Sequence, residues 1–451
     1  MSPSPGLPTR AFVLKPTVVA IYGTCYNAAQ RGDTEASAQM YLTRLSLVNF
    51  RNYARLELSL PRQVVILQGG NAQGKSNFLE AIYYLVTTRS PHASANRQLI
   101  NWLADEEVLP HARLEAWVQR HDTSCRVAMT LMKEPVADGQ GFRLRRHIEL
   151  NGVRRRAMQF LGELLVVLFG PRDIALVDGD PGGRRHFLDI ALCQLDSQYC
   201  RFLRRYNAVL TQRNALLRRL RQGHGDQGEL CVWNEQLASP GAHLIARRWH
   251  TVDELDRLGQ PLHRKLTGGQ ERLRLSYAPS FDPMQAPPLN YQLPLSIKAL
   301  QNRRKAWSKL EVPAIAAAFQ ARLSKLREQE MQRGMTLIGP QRDDIHFLVN
   351  EVDMTIYGSR GQQRTVALSL RLAERALMLE ERGDGPILLL DDVMSELDSK
   401  RRAALTDLLD GSEQAILTTT NWDDYQPHFL ARAFCLSVEA GQIRPARPGE
   451  R

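Results

Sequence analysis

Residues Gly69-Gly70-Asn71-Ala72-Gln73-Gly74-Lys75-Ser76 fit the pattern G-x-x-x-x-G-K-[ST], a spacing that serves phosphate binding. Its glycines let backbone N–H groups curl around phosphate oxygens, and Asn77 lies at the opening of a helix whose N-terminal end adds partial positive charge. Lys75 is placed to reach the β- and γ-phosphates and Ser76 to ligate Mg²⁺. Farther along, Pro386-Ile387-Leu388-Leu389-Leu390-Asp391-Asp392 is an apolar run ending in two carboxylates. A buried strand that delivers acids at its C-terminal end suits Asp391 to the metal ion and Asp392 to polarising an attacking water. ATP and Mg²⁺ are the expected cofactors, with Lys75, Asp391 and Asp392 as the catalytic set.

A third device is Ser359-Arg360-Gly361-Gln362-Gln363, which precedes a helical run over 364–381. Ser359 can cap that helix, and Gly361 with Gln362 leaves backbone N–H groups open at its positive end. Gly74 and Gly361 lie 287 positions apart, and one nucleotide does not easily occupy two helix ends of a single subunit. The spacing points to a homodimer induced by ATP, in which this turn closes on the γ-phosphate held by the partner subunit.

These groups need a frame. Val64 to Leu67 reads as a buried strand before the phosphate loop, and 77–86 as a helix with Phe78, Leu79, Ile82 and Leu85 on one face. Alternating apolar residues mark strands over 41–48, 55–60, 111–119 and 125–131. Another run over 143–150 meets Asn151-Gly152, a strong two-residue hairpin signal. From about Pro181 the period becomes helical: one long helix over 184–220, another over 230–256 broken at Pro240-Gly241, and a third over 314–332 stopped by Gly334. Residues 279–294 hold five prolines and read as an irregular connection. The expected fold class is α/β, an ATPase head with a mixed sheet and an antiparallel subdomain, into which a helical arm is inserted. The expected division is 1–39 as a disordered or misannotated extension, 40–180 and 334–451 as the two parts of the head, and 181–333 as the arm.

Hydrophobic residues make up 43% of the 451-residue chain and charged residues 24%, as in a soluble globular protein. Its six cysteines form no C-x-x-C pair, which points to a reducing, cytoplasmic compartment. No run approaches a membrane span, and no membrane partner is expected. A transporter ATPase subunit is disfavoured because 284 residues separate Lys75 from Ser359, which leaves the helical arm between them unexplained. The net charge of +11 favours an anionic partner. Arg143, Arg145, Arg146, Arg154, Arg155 and Arg156 flank the Asn151-Gly152 turn. Arg201, Arg204, Arg205, Arg213, Arg218, Arg219 and Arg221 form a second cluster in the arm. Guanidinium forks suit phosphate oxygens, and the few interleaved aromatics favour contact with a duplex backbone over base stacking.

The order of these motifs, followed by Ser395-Glu396-Leu397-Asp398, is similar to the ABC-type ATPase heads of the SMC group. More closely the chain resembles the RecF family, through Leu47-Val48-Asn49-Phe50-Arg51-Asn52-Tyr53, 71–84, Val177-Asp178-Gly179-Asp180-Pro181 with Arg184 to Asp189, Gly339 to Asp344, and 359–374. The resemblance implies a slow, DNA-stimulated ATPase of recombinational repair; the alternative is a related SMC-like ATPase serving phage defence or nuclease control, which a metal-binding His/Asp cluster beyond the ATP site would support and the sequence lacks. It further implies recognition of gapped or single/double-strand junction DNA and loading of recombinase with RecR and RecO. Gln341 departs from the family's histidine in G-P-H-R-D-D, and Thr418-Thr419-Thr420 carries no switch histidine. Asp392 stands where ABC-type ATPases generally have glutamate; with one methylene fewer, it implies slow turnover.

Overall fold

The computed structural model describes residues 40–448 apart from 94, 107–108, 121–122, 136–141, 285–301, 303 and 411. The expectations for 1–39, and for most of the proline-rich connection, lie outside the described residues.

Two six-stranded sheets carry the head. The first is antiparallel, in the order β2-β1-β4-β5-β6-β7. It comprises β1 (Met40–Phe50), β2 (Tyr53–Ser59), β4 (His111–Arg120), β5 (Thr123–Pro135), β6 (Phe142–Leu150) and β7 (Val153–Arg155). Leu45 and Leu47 alternate with half-buried neighbours and enter the core, as the period-2 pattern requires. The second sheet runs β15-β14-β3-β13-β12-β8, with β3 (Val65–Gln68), β8 (Val166–Phe169), β12 (Ile387–Leu390), β13 (Ala415–Thr419), β14 (Phe434–Glu439) and β15 (Gln442–Pro445). All its pairings are parallel except β14 with β15. Its central strands β3 and β12 are continuous apolar runs because both faces are covered: Val65, Ile66, Leu67 and Ile387 to Leu390 are all buried.

The helical middle differs from the sequence pattern in three places. The single helix expected over 184–220 is two, Pro181–Leu195 and Ser197–Arg221. Asp196 breaks the run and caps the second, its Oδ1 accepting from Gln198 N at 2.7 Å and Tyr199 N at 3.1 Å. The break expected at Pro240-Gly241 is absent: helix Glu229–Leu266 runs 38 residues through both. Packing overrides propensity there. A Cβ on Gly241 would lie 2.7 Å from the Phe319 ring, so the glycine lets Phe319 and Tyr206 press against the helix. The single helix expected over 314–332 is also two, Val312–Lys325 and Arg327–Arg333, the second ending on Gly334 at φ 68°. Strand β9 (Leu273–Ala278) pairs with β10 (Asp344–Val349), which pairs with β11 (Val352–Asp353). This small antiparallel sheet joins chain on both sides of residue 333.

Candidate functional site

Strand β3 leads into the phosphate loop, and helix Lys75–Thr87 leaves it. Gly74 sits at φ 120°, open to glycine, and its carbonyl accepts from the Tyr53 hydroxyl at 2.9 Å. Gly69 is required by crowding: a Cβ there would lie 2.3 Å from the Val438 carbonyl oxygen of β14. Lys75 Nζ donates to Gly69 O at 2.7 Å and Gly70 O at 2.8 Å. Burial pulls its pKa down, against the opposing pull of Asp392 and Asp391.

Strand β12 brings Asp391 and Asp392 to the same cleft. Asn71, Ala72, Gly74, Lys75, Ser76, Asn77, Asp391 and Asp392 line a cavity of about 210 Å³ together with Pro171. Ser76 Oγ donates to Asp391 Oδ1 at 3.0 Å, and Thr418 Oγ1 to the same oxygen at 2.7 Å. Asp392 has φ 49°, a left-handed conformation that is uncommon outside glycine. Its N–H donates to Thr418 Oγ1 at 2.9 Å, and its buried Oδ1 has no hydrogen-bond partner. Burial pushes the Asp392 carboxyl up from the ordinary carboxylate range. The paired oxygens of Ser76 and Asp391 suit Mg²⁺, which takes one or two protein oxygens together with phosphate. Among the described residues no group of three or more His, Cys, Asp or Glu could hold a metal ion.

The third device lies elsewhere. Ser359 caps helix Arg360–Arg382 in a capping box: its Oγ accepts from Gln362 N at 3.3 Å, and Gln362 Oε1 accepts from Ser359 N at 3.2 Å. Ser359 and Gly361 are exposed, and a Cβ on Gly361 would meet nothing within 4 Å. Neither these two nor Gln362 lines the Lys75 cleft. Helix Glu229–Leu266 and the loop after it fix the turn from behind. Gln362 Nε2 donates to Glu271 Oε1 at 3.0 Å, and His263 stands between Glu271 Oε2 (3.1 Å) and Ser369 Oγ (2.9 Å). Burial lowers the His263 pKa against the pull of Glu271.

Around Asn151 (φ 51°) and Gly152 (φ 78°) the expected hairpin forms, pairing Leu150 with Val153 and Ile148 with Arg155. Arg154, Arg155 and Arg156 are exposed. Arg145 meets Glu134 at 3.0 Å. Arg146 departs from the expected outward cluster: it is half-buried and its Nη1 donates to Thr88 O at 2.9 Å. Alternation along β6 sends adjacent side chains to opposite faces. Arg213 departs further. Buried on helix Ser197–Arg221, it donates to Glu330 Oε2 at 2.6 Å, Thr336 Oγ1 at 2.7 Å and Asn234 Oδ1 at 2.8 Å. It is a strut, not a DNA contact.

Several groups that brace the site were missed from sequence. Asn52 Nδ2 donates to Gln73 O at 3.0 Å, and Asn52 Oδ1 accepts from Asn77 Nδ2 at 2.8 Å. Gln73 Oε1 accepts from Ala440 N at 2.6 Å, tying the loop to the β14–β15 turn. The segment Gly339 to Asp344 is a joint. Gln341 bonds the Tyr206 hydroxyl, Asp344 Oδ2 accepts from Arg184 Nη2 at 2.9 Å, and Asp343 Oδ1 accepts from Ser280 N at 2.8 Å.

A parallel sheet with a phosphate loop, an acid-tipped neighbouring strand and a separately exposed S-x-G-Q helix cap is the head of an SMC-type ABC ATPase. The family model described as RecF/RecN/SMC N terminal domain matches residues 41–427. A curated relative from Roseiflexus castenholzii, DNA replication and repair protein RecF, is 42% identical over 90% of this chain and 100% of its own length. Its counterpart in Chloroflexus aurantiacus is 40% identical over 90% and 99%. A solved structure of the recombination mediator RecF with ATP, in the RecFOR pathway, aligns with a TM-score of 0.75 at 28% identity, covering 92% of this chain and all of that one. This chain belongs to the RecF family of DNA replication and repair proteins, within a wider group of ATP-binding ATPases. Among the described residues no helix is long and apolar enough to cross a membrane.

Proposed function

We propose that this chain is an ATP-driven DNA clamp of recombinational repair, working in the cytoplasm as a slow Mg²⁺-dependent ATPase stimulated by DNA. One observation supports the composite-site reading above all: within a protomer the phosphate cleft and the S-x-G-Q cap are separate, and the cap is exposed. In this reading Gly69 to Asn77 cradle the triphosphate. Lys75 shifts from the loop carbonyls to the phosphates, and Asp392 orients the attacking water. Ser76 and Asp391 would hold Mg²⁺, which neutralises charge on the β- and γ-phosphates when bound. Ser359, Gly361 and Gln362 from the second subunit complete the wall around the γ-phosphate, so hydrolysis loosens the dimer. The head and the arm (181–333) are proposed as separate functional parts. The relatives' role in replication and repair supports gapped or junction DNA as the substrate. The RecFOR-pathway structures support RecR and RecO as partners in recombinase loading.

The test is sedimentation with ATP of Lys75→Met, of Ser359→Arg, and of their mixture. Each variant alone stays monomeric. The mixture recovers a dimer holding one intact composite site, since each subunit supplies what the other lacks. A dimer formed by either variant alone, or no recovery in the mixture, overturns the composite-site reading.

The exposed Arg154-Arg155-Arg156 run is the proposed DNA contact of the hairpin. Replacing all three with Ala weakens duplex binding and lowers the slope of log K against log salt by up to about 3. A titration across salt concentrations reads this directly, and an unchanged slope removes the hairpin from the interface.

A further inference from the structure

A second cavity, of about 520 Å³, opens where the antiparallel sheet meets the arm. It is more than twice the volume of the phosphate cleft. Its floor includes Met158, Leu161 and Leu203, and its rim includes Arg89, Arg146 and Arg204. The three arginines come from separate elements: the loop after helix Lys75–Thr87, strand β6, and helix Ser197–Arg221. Among the described residues none of the three meets a carboxylate at ion-pair distance, although ion pairs are numerous across the head and arm. The single carboxylate in the lining, Asp189, is engaged by Arg248 at 2.7 Å. Arg146 is held by the Thr88 carbonyl, so part of the cationic rim is already ordered, which lowers the entropy cost of receiving an anion.

We infer that this cavity is a docking site for a short acidic peptide segment of a partner protein, with carboxylates on the three arginines and one large aliphatic or aromatic side chain on the floor. Charge complementarity sets the anionic part, since guanidinium groups from separate elements that face no carboxylate partner favour acidic-motif capture. The apolar floor and the volume set the rest. A lone phosphate would leave most of the space and all of the Met158–Leu161–Leu203 surface unused. A nucleobase is disfavoured because His186 is the one aromatic side chain in the lining, with no Phe, Tyr or Trp beside it, and base binding without hydrogen-bond readout leans on aromatic stacking. The site is independent of the ATP cleft and of the composite-site reading.

The experiment uses the full chain and fluorescein-labelled hexapeptides carrying two or three Asp or Glu around one Leu, Ile or Phe, read by fluorescence anisotropy. At least one binds with a Kd in the roughly micromolar range, and its Asn/Gln counterpart binds at least about tenfold more weakly. Arg89→Glu weakens the acidic peptide by about tenfold or more and leaves ATP binding unchanged. Any of three results overturns the inference: no peptide binding at about 1 mM, equal affinity for the neutral counterparts, or Arg89→Glu without effect. Displacement of the peptide by a duplex oligonucleotide that itself loses affinity in Arg89→Glu assigns the rim to DNA instead and also overturns it.

Discussion

Replacing Asp392 with Asn slows ATP hydrolysis by roughly 10²–10⁴-fold, the range for losing a positioned general base, and leaves ATP-induced dimerisation in place. Asn keeps the shape of the side chain and tolerates the left-handed conformation at φ 49° at least as well as Asp. The hydrogen bond from its N–H to Thr418 Oγ1 is a backbone bond and survives. Ser76, Asp391 and Lys75 keep their places, so nucleotide capture is untouched. What goes is the anionic oxygen that the fold buries at the cleft without a partner. Holding a residue in such a backbone region costs on the order of 1–3 kcal/mol, and such strain persists where surrounding structure enforces it. Here the enforcing groups are Thr418 and the end of β12. Single-turnover kinetics and sedimentation separate the two effects. Wild-type turnover in Asp392→Asn would show that the water is oriented by another group, and loss of the dimer would give Asp392 a role in nucleotide capture.

The nucleotide half of the site was legible because its chemistry sits in contiguous residues. A strand, a glycine turn, Lys75-Ser76 and a helix must follow one another for backbone N–H groups to converge, and Asp391-Asp392 must end an apolar strand. The braces were not legible. Asn52 and Tyr53 reach the loop from a hairpin, Gln73 is fixed by Ala440, and Asp391 by Thr418. Each is an ordinary polar residue whose partner is set only by how the two sheets pack. The arm arginines carried more signal than the count of charges used. Tyr206, Val209, Arg213, Leu216 and Leu217 fall on one helical face, and all are buried. That spacing separates Arg213 from the exposed Arg204, Arg205, Arg218 and Arg219. Gly241 shows the opposite failure: Pro-Gly ordinarily interrupts a helix, and only the pressure of Phe319 and Tyr206 explains why it does not here.

Arg248→Met destabilises the chain by about 3–5 kcal/mol, the cost of removing one partner from a buried ion pair. Its side chain is 2% exposed and joins three parts of the chain. Nη2 donates to Asp189 Oδ1 at 2.7 Å, Nε to the Tyr199 hydroxyl at 2.9 Å, and Nη1 to Pro340 O at 2.6 Å. The first two partners lie on the helices Pro181–Leu195 and Ser197–Arg221, the third in the Gly339 to Asp344 joint. Met follows the same path through the core as far as its thioether and then leaves Asp189, Tyr199 and the carbonyl facing an apolar end. Beside it, burial already pushes the Asp343 carboxyl up, against the Arg248 charge and the hydrogen bonds from Tyr277 and Ser280. Loss of the guanidinium therefore raises it further. Adding Asp189→Leu recovers part of the loss, because an apolar pair in place of a buried ion pair is often close to neutral. Recovery stays incomplete while Pro340 O has no donor and the buried Tyr199 hydroxyl, which donates to Asp189, has lost its acceptor. Urea unfolding of the two variants without nucleotide reads both steps. An unfolding free energy within about 1 kcal/mol of wild type for Arg248→Met would mean that the joint is held by packing alone, with the polar network incidental to it.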